Sequence, residues 1–485
     1  MEQWVVVTII IVLYLALTLT IGLMAGRNQT DSVAGYVAAD RSFGLLVMYF
    51  VTGASVFSAF AFLGGPGWAY SRGAAAFYIL AYGALGMAPF YWMGPRAALL
   101  GRKFGYVTQA QLVTGRFPSK RLSAMIAVLS LVAFVPYVTL QMRGAGIVIE
   151  AVTDGHVPLW LGSFVAYGIV ILYVLRSGAM AVGWTNTFQG VFMVIIAWSL
   201  GLYLPHRLYG GIGPMFEQIA VARPELLVPP GLTAAGDPWS WGAFSTFILV
   251  SAIGLMMWPH LFMKAFTAKD DDTLRRTVIL FPTFQLFLIP VFLIGFAGVM
   301  FAGQPASSDF ILPFMILETD LPAVVVGLFC AGALSASMST GDALLHASAS
   351  VFVGDGVAKF MPLTEHQQRR LMQVIVLLTG AIAYYFAMDP ESSLVQLLAT
   401  AYGIISQLAP PVVAAMYWKR ATTAGVITGL IAGTATAFFF YTNPELKPYD
   451  MHEGILALMV HVPVLVGASL MTQRQDEEHL KGFFS

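Results

Sequence analysis

Runs of about 20 apolar residues, broken by short clusters of Arg, Lys, Pro and Gly, recur along the whole chain. The opening run QWVVVTIIIVLYLALTLTIGL shows the type: no charge, no alternation, and enough length to cross about 30 Å of hydrocarbon as a helix. Thirteen such spans are expected near 4–25, 44–70, 74–95, 121–150, 157–176, 183–204, 240–263, 276–302, 321–354, 371–388, 392–418, 423–441 and 454–471. The fold class is therefore an all-α polytopic membrane protein. A membrane barrel would show ten-residue alternating strands instead.

The polar residues between the spans give a direction. With the N-terminus outside, only Arg72, Arg207, Arg223 and Lys447 fall in outward loops and Arg143 falls inside a span, so 20 of the 25 basic residues face inward. This predicts a bacterial cytoplasmic membrane protein with its C-terminus in the cytoplasm. The N-terminal MEQWVVVTII has no basic region and no cleavage site, and reads as a retained helix, not a signal peptide. The stretch GIGPMFEQIAVARPELL in the long loop before Trp239 predicts a short interfacial helix.

Composition narrows the function. The chain of 485 residues is 58% hydrophobic and 10% charged with zero net charge, which leaves no electrostatic footprint for nucleic acid. The single cysteine, Cys330, lies in an apolar run and excludes an intrachain disulfide. Membrane lipid is the expected surrounding partner, and no obligatory protein partner is indicated.

Two spans carry Gly and Pro where a helix would break: GASVFSAFAFLGGPG (Gly53 to Gly67) and SAIGLMMWP (Ser251 to Pro259). Kinks of this kind are common, and freed carbonyls at membrane depth are tolerated where they line a cavity or bind something. The two breaks lie five spans apart, an odd number, which predicts inverted repeats with discontinuous first helices. The expected division is 1–42 peripheral helix and cytoplasmic loop, 43–204 first repeat, 205–239 extracellular loop, 240–418 second repeat, and 419–485 peripheral spans and tail.

The ninth span contains SASMSTGDALLHASAS, in which Ser335, Ser339, Asp342 and His346 share one helical face. A charge at mid-membrane costs about 2.5–3.5 kcal/mol on insertion scales and demands a partner. One reading is a hard cation held by oxygen ligands, the hydroxyls of Ser339 and Thr340 with carbonyls from the broken second span. Others are serines bonding their own helix, or Asp342 paired with His346 or Lys264. Arg143, in VPYVTLQMRGAG, can clamp a carboxylate, pair with Glu150, or extend its head to the interface. His260 reads as a satisfied helix-end histidine. No cysteine–histidine or paired-carboxylate constellation points to an enzyme.

GYVAADRSFG, FGYVTQAQLVTGRF, WTNTFQG, WPHLFMKAFTAKD and LSASMSTGDALL together resemble the sodium:solute symporter family over nearly the whole length. The resemblance implies a leucine-transporter-like 5+5 inverted repeat, sodium as the coupling ion, and a sodium site formed by carbonyls of Ala54, Phe57 and Ala336 and hydroxyls of Ser339 and Thr340. Some members have an aspartate where this chain has Asn186. Asp342 is expected to replace that charge from the opposite helix, so that Asp342 and Asn186 mark a possible second cation. Leu255 and Ser251 stand where proline-type members carry aromatics, which argues against proline.

Arg143 occupies the position at which sialic acid symporters place an arginine near an acidic substrate. The resemblance thus implies a small organic anion, best a short monocarboxylate such as pyruvate, lactate or propionate. Its pocket is expected to be lined by Ser58, Phe60, Tyr78, Tyr82, Gln141, Arg143 and Ser251. Alternatives are a sodium symporter of an amino acid, sugar or pantothenate, a proton-coupled carrier, and a ligand-sensing receptor domain.

Overall fold

The computed structural model describes residues 2–28, 32–389 and 394–484. In chain order its α-helices are α1 Gln3–Ala25, α2 Val33–Ala38, α3 Leu45–Val56, α4 Gly65–Arg72, α5 Phe77–Met87, α6 Phe90–Phe104, α7 Gln109–Arg116, α8 Lys120–Val152, α9 Leu159–Tyr209, α10 Ile212–Ala222, α11 Trp241–Leu255, α12 Pro259–Phe262, α13 Lys264–Thr267, α14 Asp271–Gln285, α15 Leu288–Gly298, α16 Ile311–Glu318, α17 Ala323–Val351, α18 Glu365–Ala387, α19 Leu394–Ile405, α20 Ala409–Tyr417, α21 Thr423–Thr442, α22 Glu453–Met471 and α23 Glu477–Phe484. Helices dominate because in hydrocarbon each backbone N–H and C=O must be satisfied within its own segment. Polar loop residues start them: Ser119, Ser240, Asp270 and Thr364 each accept a first-turn N–H through the side chain.

Every predicted span falls on helix, although the one at 392–418 begins outside the described residues. Among the described residues, eight helices are long and apolar enough to cross a membrane by themselves, and two bent pairs raise this to ten. The bent pairs are the two breaks expected from sequence. The chain turns by 59° between α3 and the helical segment from Phe60, and by 48° between α11 and the segment from Pro259. The predicted interfacial helix is α10.

One difference from the sequence reading is informative. The spans expected at 157–176 and 183–204 belong to a continuous element, α9, interrupted by non-helical backbone at Gly178 (φ 47°, ψ −134°). The interruption redirects the chain. Tyr173 Oη donates to Asp342 Oδ2 at 2.9 Å, and Thr185 Oγ1, which also lies 2.8 Å from Ala181 O, approaches the same carboxylate oxygen at 3.1 Å, although twelve residues of straight helix would separate the two by about 18 Å. No L side chain fits the turn: a Cβ at Gly178 would lie 2.4 Å from the Tyr36 carbonyl oxygen. The core is continuous from α1 to α21, and α17 runs through it with every residue from Phe329 to Val351 buried.

Gly178→Ala is expected to lower stability by about 3 kcal/mol, because it adds both a forbidden backbone conformation and a clash. The thermal midpoint of the detergent-purified protein measures this. Gly168→Ala in the same element, where the added Cβ meets nothing within 4 Å, should leave the midpoint unchanged or slightly raised.

Candidate cation and substrate site

The site is built around the break after α3. Phe57 (φ −94°, ψ 88°) leaves the helix while its N–H still bonds Gly53 O at 3.1 Å. A new helical start follows: Ser58 O accepts from Ala61 and Phe62, and Ser58 Oγ accepts the Phe60 N–H at 3.2 Å. Gln141 of α8 fills the gap by accepting the Ala59 N–H at 3.0 Å through Oε1. The Phe57 ring, stacked against Phe281 and Phe284 of α14, holds the break in place.

The carbonyls released there meet α17. Ser339 Oγ donates to Ala54 O at 2.9 Å and lies 3.3 Å from Ala336 O; Thr340 Oγ1 lies 3.3 Å from Ala54 O and 3.4 Å from Ser55 O. All five residues are fully buried. Four of the five expected sodium ligands, Ala54, Ala336, Ser339 and Thr340, are thereby brought together, with Phe57 at the adjacent break. The set fits a hard cation, because carbonyl and hydroxyl oxygens are its preferred donors and both hydroxyl protons can rotate away when an ion enters.

Asn186 and Asp342 extend this cluster. Asn186 Nδ2 donates to Ser55 Oγ (3.1 Å) and Ser339 O (2.7 Å), which ties α9 to both halves of the set. Asp342 sits less than one turn beyond Ser339, and its Oδ2 takes both donors from α9. Among the described residues Asn186 Oδ1 is a buried acceptor with no hydrogen-bond partner, and Asp342 Oδ1 has none beyond the Ala343 backbone N–H that acts on its carboxylate. Buried oxygens left so are costly unless something fills them, and a second cation would.

Of the alternative partners for Asp342, His346 bonds the Tyr36 carbonyl through Nε2 at 2.9 Å, whereas Lys264, buried and with no carboxylate within hydrogen-bond or ion-pair range among the described residues, is the cation whose charge acts on Asp342. His260 is buried among Phe134, Tyr137 and Trp258; among the described residues its ring nitrogens reach no hydrogen-bond partner within geometric range, and the Ser55 backbone is the polar group that acts on it. Glu150 accepts the Leu159 N–H at 3.2 Å and so caps the start of α9. Cys330 is a buried free thiol.

The expected substrate residues divide into two groups. Ser58, Phe60 and Gln141 meet at the break, and Tyr78 and Tyr82 of α5 face α11, on which Ser251 is buried. Ring contacts run from Tyr78 to Tyr82 (5.7 Å), Tyr402 (5.9 Å), Trp258 (5.7 Å) and Tyr137 (4.9 Å), closing an aromatic wall around this region. Arg143 stands apart. Two residues beyond Gln141 it points about 200° around α8, is partly exposed, and has Asp309 and Asp389 as the acidic charges acting on it.

Tyr137, Trp258 and Tyr402 were missed from sequence, as were Tyr173 and Thr185. Tyr137 carried a usable signal, since it lies four residues before Gln141 on the same helical face. Tyr402 carried none.

The model of the sodium:solute symporter family matches residues 36–433. A sodium/pantothenate symporter of Haemophilus influenzae is 25% identical over 94% of both chains. A monocarboxylate transport permease protein of Rhizobium johnstonii is 25% identical over 94% of this chain and 95% of its own. Among solved structures, a Na+-coupled sialic acid symporter in a substrate-bound outward-open state superposes with a TM-score of 0.80 at 16% identity, covering 97% of this chain and 99% of that one. That likeness establishes the fold.

Tyr173→Phe removes one of the two donors to the buried Asp342 carboxylate. It is expected to cost about 1.5–3 kcal/mol, the range for a hydrogen bond to a charged group. A fall in thermal midpoint reads this, and an unchanged midpoint would show that the bond contributes nothing.

Proposed function

The chain belongs to the sodium:solute symporter family, and from that membership we propose that it couples sodium entry to uptake of a small organic anion by alternating access. It is an integral membrane transporter that uses sodium. The finer reading is a short monocarboxylate such as pyruvate, lactate or propionate, carried across a bacterial cytoplasmic membrane by thirteen helices in a 5+5 inverted repeat. The N-terminus lies outside and the C-terminus inside. The turn at Gly178 supports the count by dividing α9 in two, and the paired breaks support the repeat.

The observation that carries the coupling is the convergence of Ser339 and Thr340 on Ala54 O at the break. For the anion it is a pair of buried donors without acceptors, Gln141 Nε2 and Trp258 Nε1, near the aromatic wall. A carboxylate supplies the missing acceptors. Pantothenate, also a carboxylate, is the second reading, favoured by the Haemophilus relative.

Energetics makes the second cation matter. One sodium moving through about 100 mV gains about 2.3 kcal/mol, and a tenfold gradient adds about 1.4 kcal/mol. A monoanion entering against the same potential costs about 2.3 kcal/mol. One sodium per anion therefore leaves about tenfold accumulation. Asp342 with Asn186 is the reading for a second.

Uptake of labelled pyruvate, lactate, propionate and pantothenate into proteoliposomes is expected to require an inward sodium gradient for at least one acid. Uptake driven by a pH gradient without sodium would favour a proton carrier instead, and sodium-dependent transport of proline or a sugar but of no acid would overturn the anion. For the transported acid, Ser339→Ala should raise the sodium concentration for half-maximal uptake about tenfold or more, matching the loss of a ligand worth about 1.5 kcal/mol. Asp342→Asn should lower the sodium Hill coefficient from near two to near one; a value that stays near two would remove Asp342 from the second site.

A further inference from the structure

A second charged constellation lies far from the transport site, where α23 docks against α6, α7 and the end of α20. Arg96 Nη2 donates to Phe483 O at 2.6 Å and Lys103 Nζ to Gly482 O at 2.8 Å, so two cations cap the carbonyl end of α23. His479 bonds the Arg116 carbonyl at 3.1 Å, and Phe483 stacks on Phe104 at 5.0 Å. The helix is thus held by its neighbours on one side. Its other side opens onto a recess of about 250 Å³ lined by Lys419, Arg474, Glu477, Leu480, Lys481 and Phe484.

Among the described residues the charges around this recess do not balance. The Phe484 ring is approached by three cations, Arg116 at 5.6 Å, Lys419 at 5.7 Å and Arg96 at 5.9 Å. Arg116 is fully buried. Its Nη2 reaches the Lys419 and Ala421 carbonyls, but Nε and Nη1 have no acceptor, and Arg96 Nε has none either. Among the described residues Arg96, Arg116, Lys419, Arg474 and Lys481 make no ion pair, and Glu477 is the one carboxylate in the wall. Burial also lowers the Arg116 guanidinium from its ordinary value to about 10.

We propose that this recess is a phosphate site, filled by the headgroup of an anionic phospholipid from the surrounding leaflet. The Arg474 guanidinium and the Lys419 and Lys481 ammonium groups in the wall of a recess of this size suit a phosphodiester, and each basic residue near a membrane surface adds about 1 kcal/mol of attraction to anionic lipid. A lipid is favoured over a soluble phosphate by what borders the cations. Tyr417 at the end of α20 and Leu470 and Met471 at the end of α22 are exposed apolar side chains beside Lys419 and Arg474, placed to continue along an acyl chain. The site would anchor α23 and, through it, α6 and α7. It is independent of which solute is carried.

The test uses the detergent-purified full chain and its thermal midpoint, titrated with dihexanoyl phosphatidylglycerol, dihexanoyl phosphatidylcholine and glycerol 1-phosphate. Phosphatidylglycerol is expected to raise the midpoint saturably and phosphatidylcholine is not. Lys419→Ala combined with Arg474→Ala, both at exposed positions, should weaken the phosphatidylglycerol effect roughly 30-fold. The charge-preserving pair Lys419→Arg and Arg474→Lys should keep it. An equal response to glycerol 1-phosphate would keep the phosphate site and make its occupant soluble. Equal stabilisation by both lipids, or a phosphatidylglycerol response that survives the double alanine variant, would overturn the proposal.

Discussion

A backbone inside hydrocarbon has no water to complete its hydrogen bonds, so a break in a buried helix must be answered by other groups. The break at Phe57–Ala59 is answered three times, each time by a different element. Gln141 of α8 takes the Ala59 N–H, Ser339 and Thr340 of α17 take the freed carbonyls, and Asn186 of α9 bridges Ser55 to Ser339. These contacts set where α8, α9 and α17 cross α3. Hydroxyls suit the position, since they donate to the carbonyls in an ion-free site and can turn their lone pairs inward for an ion.

Asp342 imposes the second constraint. A carboxylate at full burial needs donors, and it draws them from both limbs of α9, which makes the turn at Gly178 part of the same arrangement. The turn in turn exists because glycine alone tolerates that backbone beside the Tyr36 carbonyl. Charge, turn and limb packing are therefore coupled, and the residue that looked anomalous in an apolar run organises the helices that enclose it.

Much of this was legible in the chain. Apolar length alone located the helices, because hydrocarbon thickness leaves little freedom, and Gly and Pro located both breaks. Ser339 and Asp342 stood out because hydroxyls and a charge are conspicuous in an apolar helix. Partners were harder to read. Tyr173 and Thr185 belong to ordinary membrane sequence, and nothing in their spacing predicts that a glycine between them brings them to one oxygen. Arg143 shows the opposite case: its charge was conspicuous, but helical geometry sets it about 200° around α8 from Gln141, and charge alone does not tell which face of a helix lines a site. The surroundings of His260 were hidden for the same reason, since Phe134 and Tyr137 come from α8 and share no sequence proximity with it.

The two proposed cation positions differ in donor chemistry in a way that would bear on transport. The set at Ala54, Phe57, Ala336, Ser339 and Thr340 carries no formal charge, whereas Asp342, one step along α17, carries one. A neutral oxygen cage holds an ion loosely enough to release it, a condition that any conducting or transporting site must meet. A carboxylate in a low-dielectric core attracts over a longer range and more strongly. With the charge displaced from the first cage, it would favour entry of cations to the region without locking an ion in place at Ser339. Moving the carboxylate to the Asn186 position would bring it beside Ser55 and Ser339 and join the two functions in one cluster; placing it at 342 keeps them about one helical turn apart.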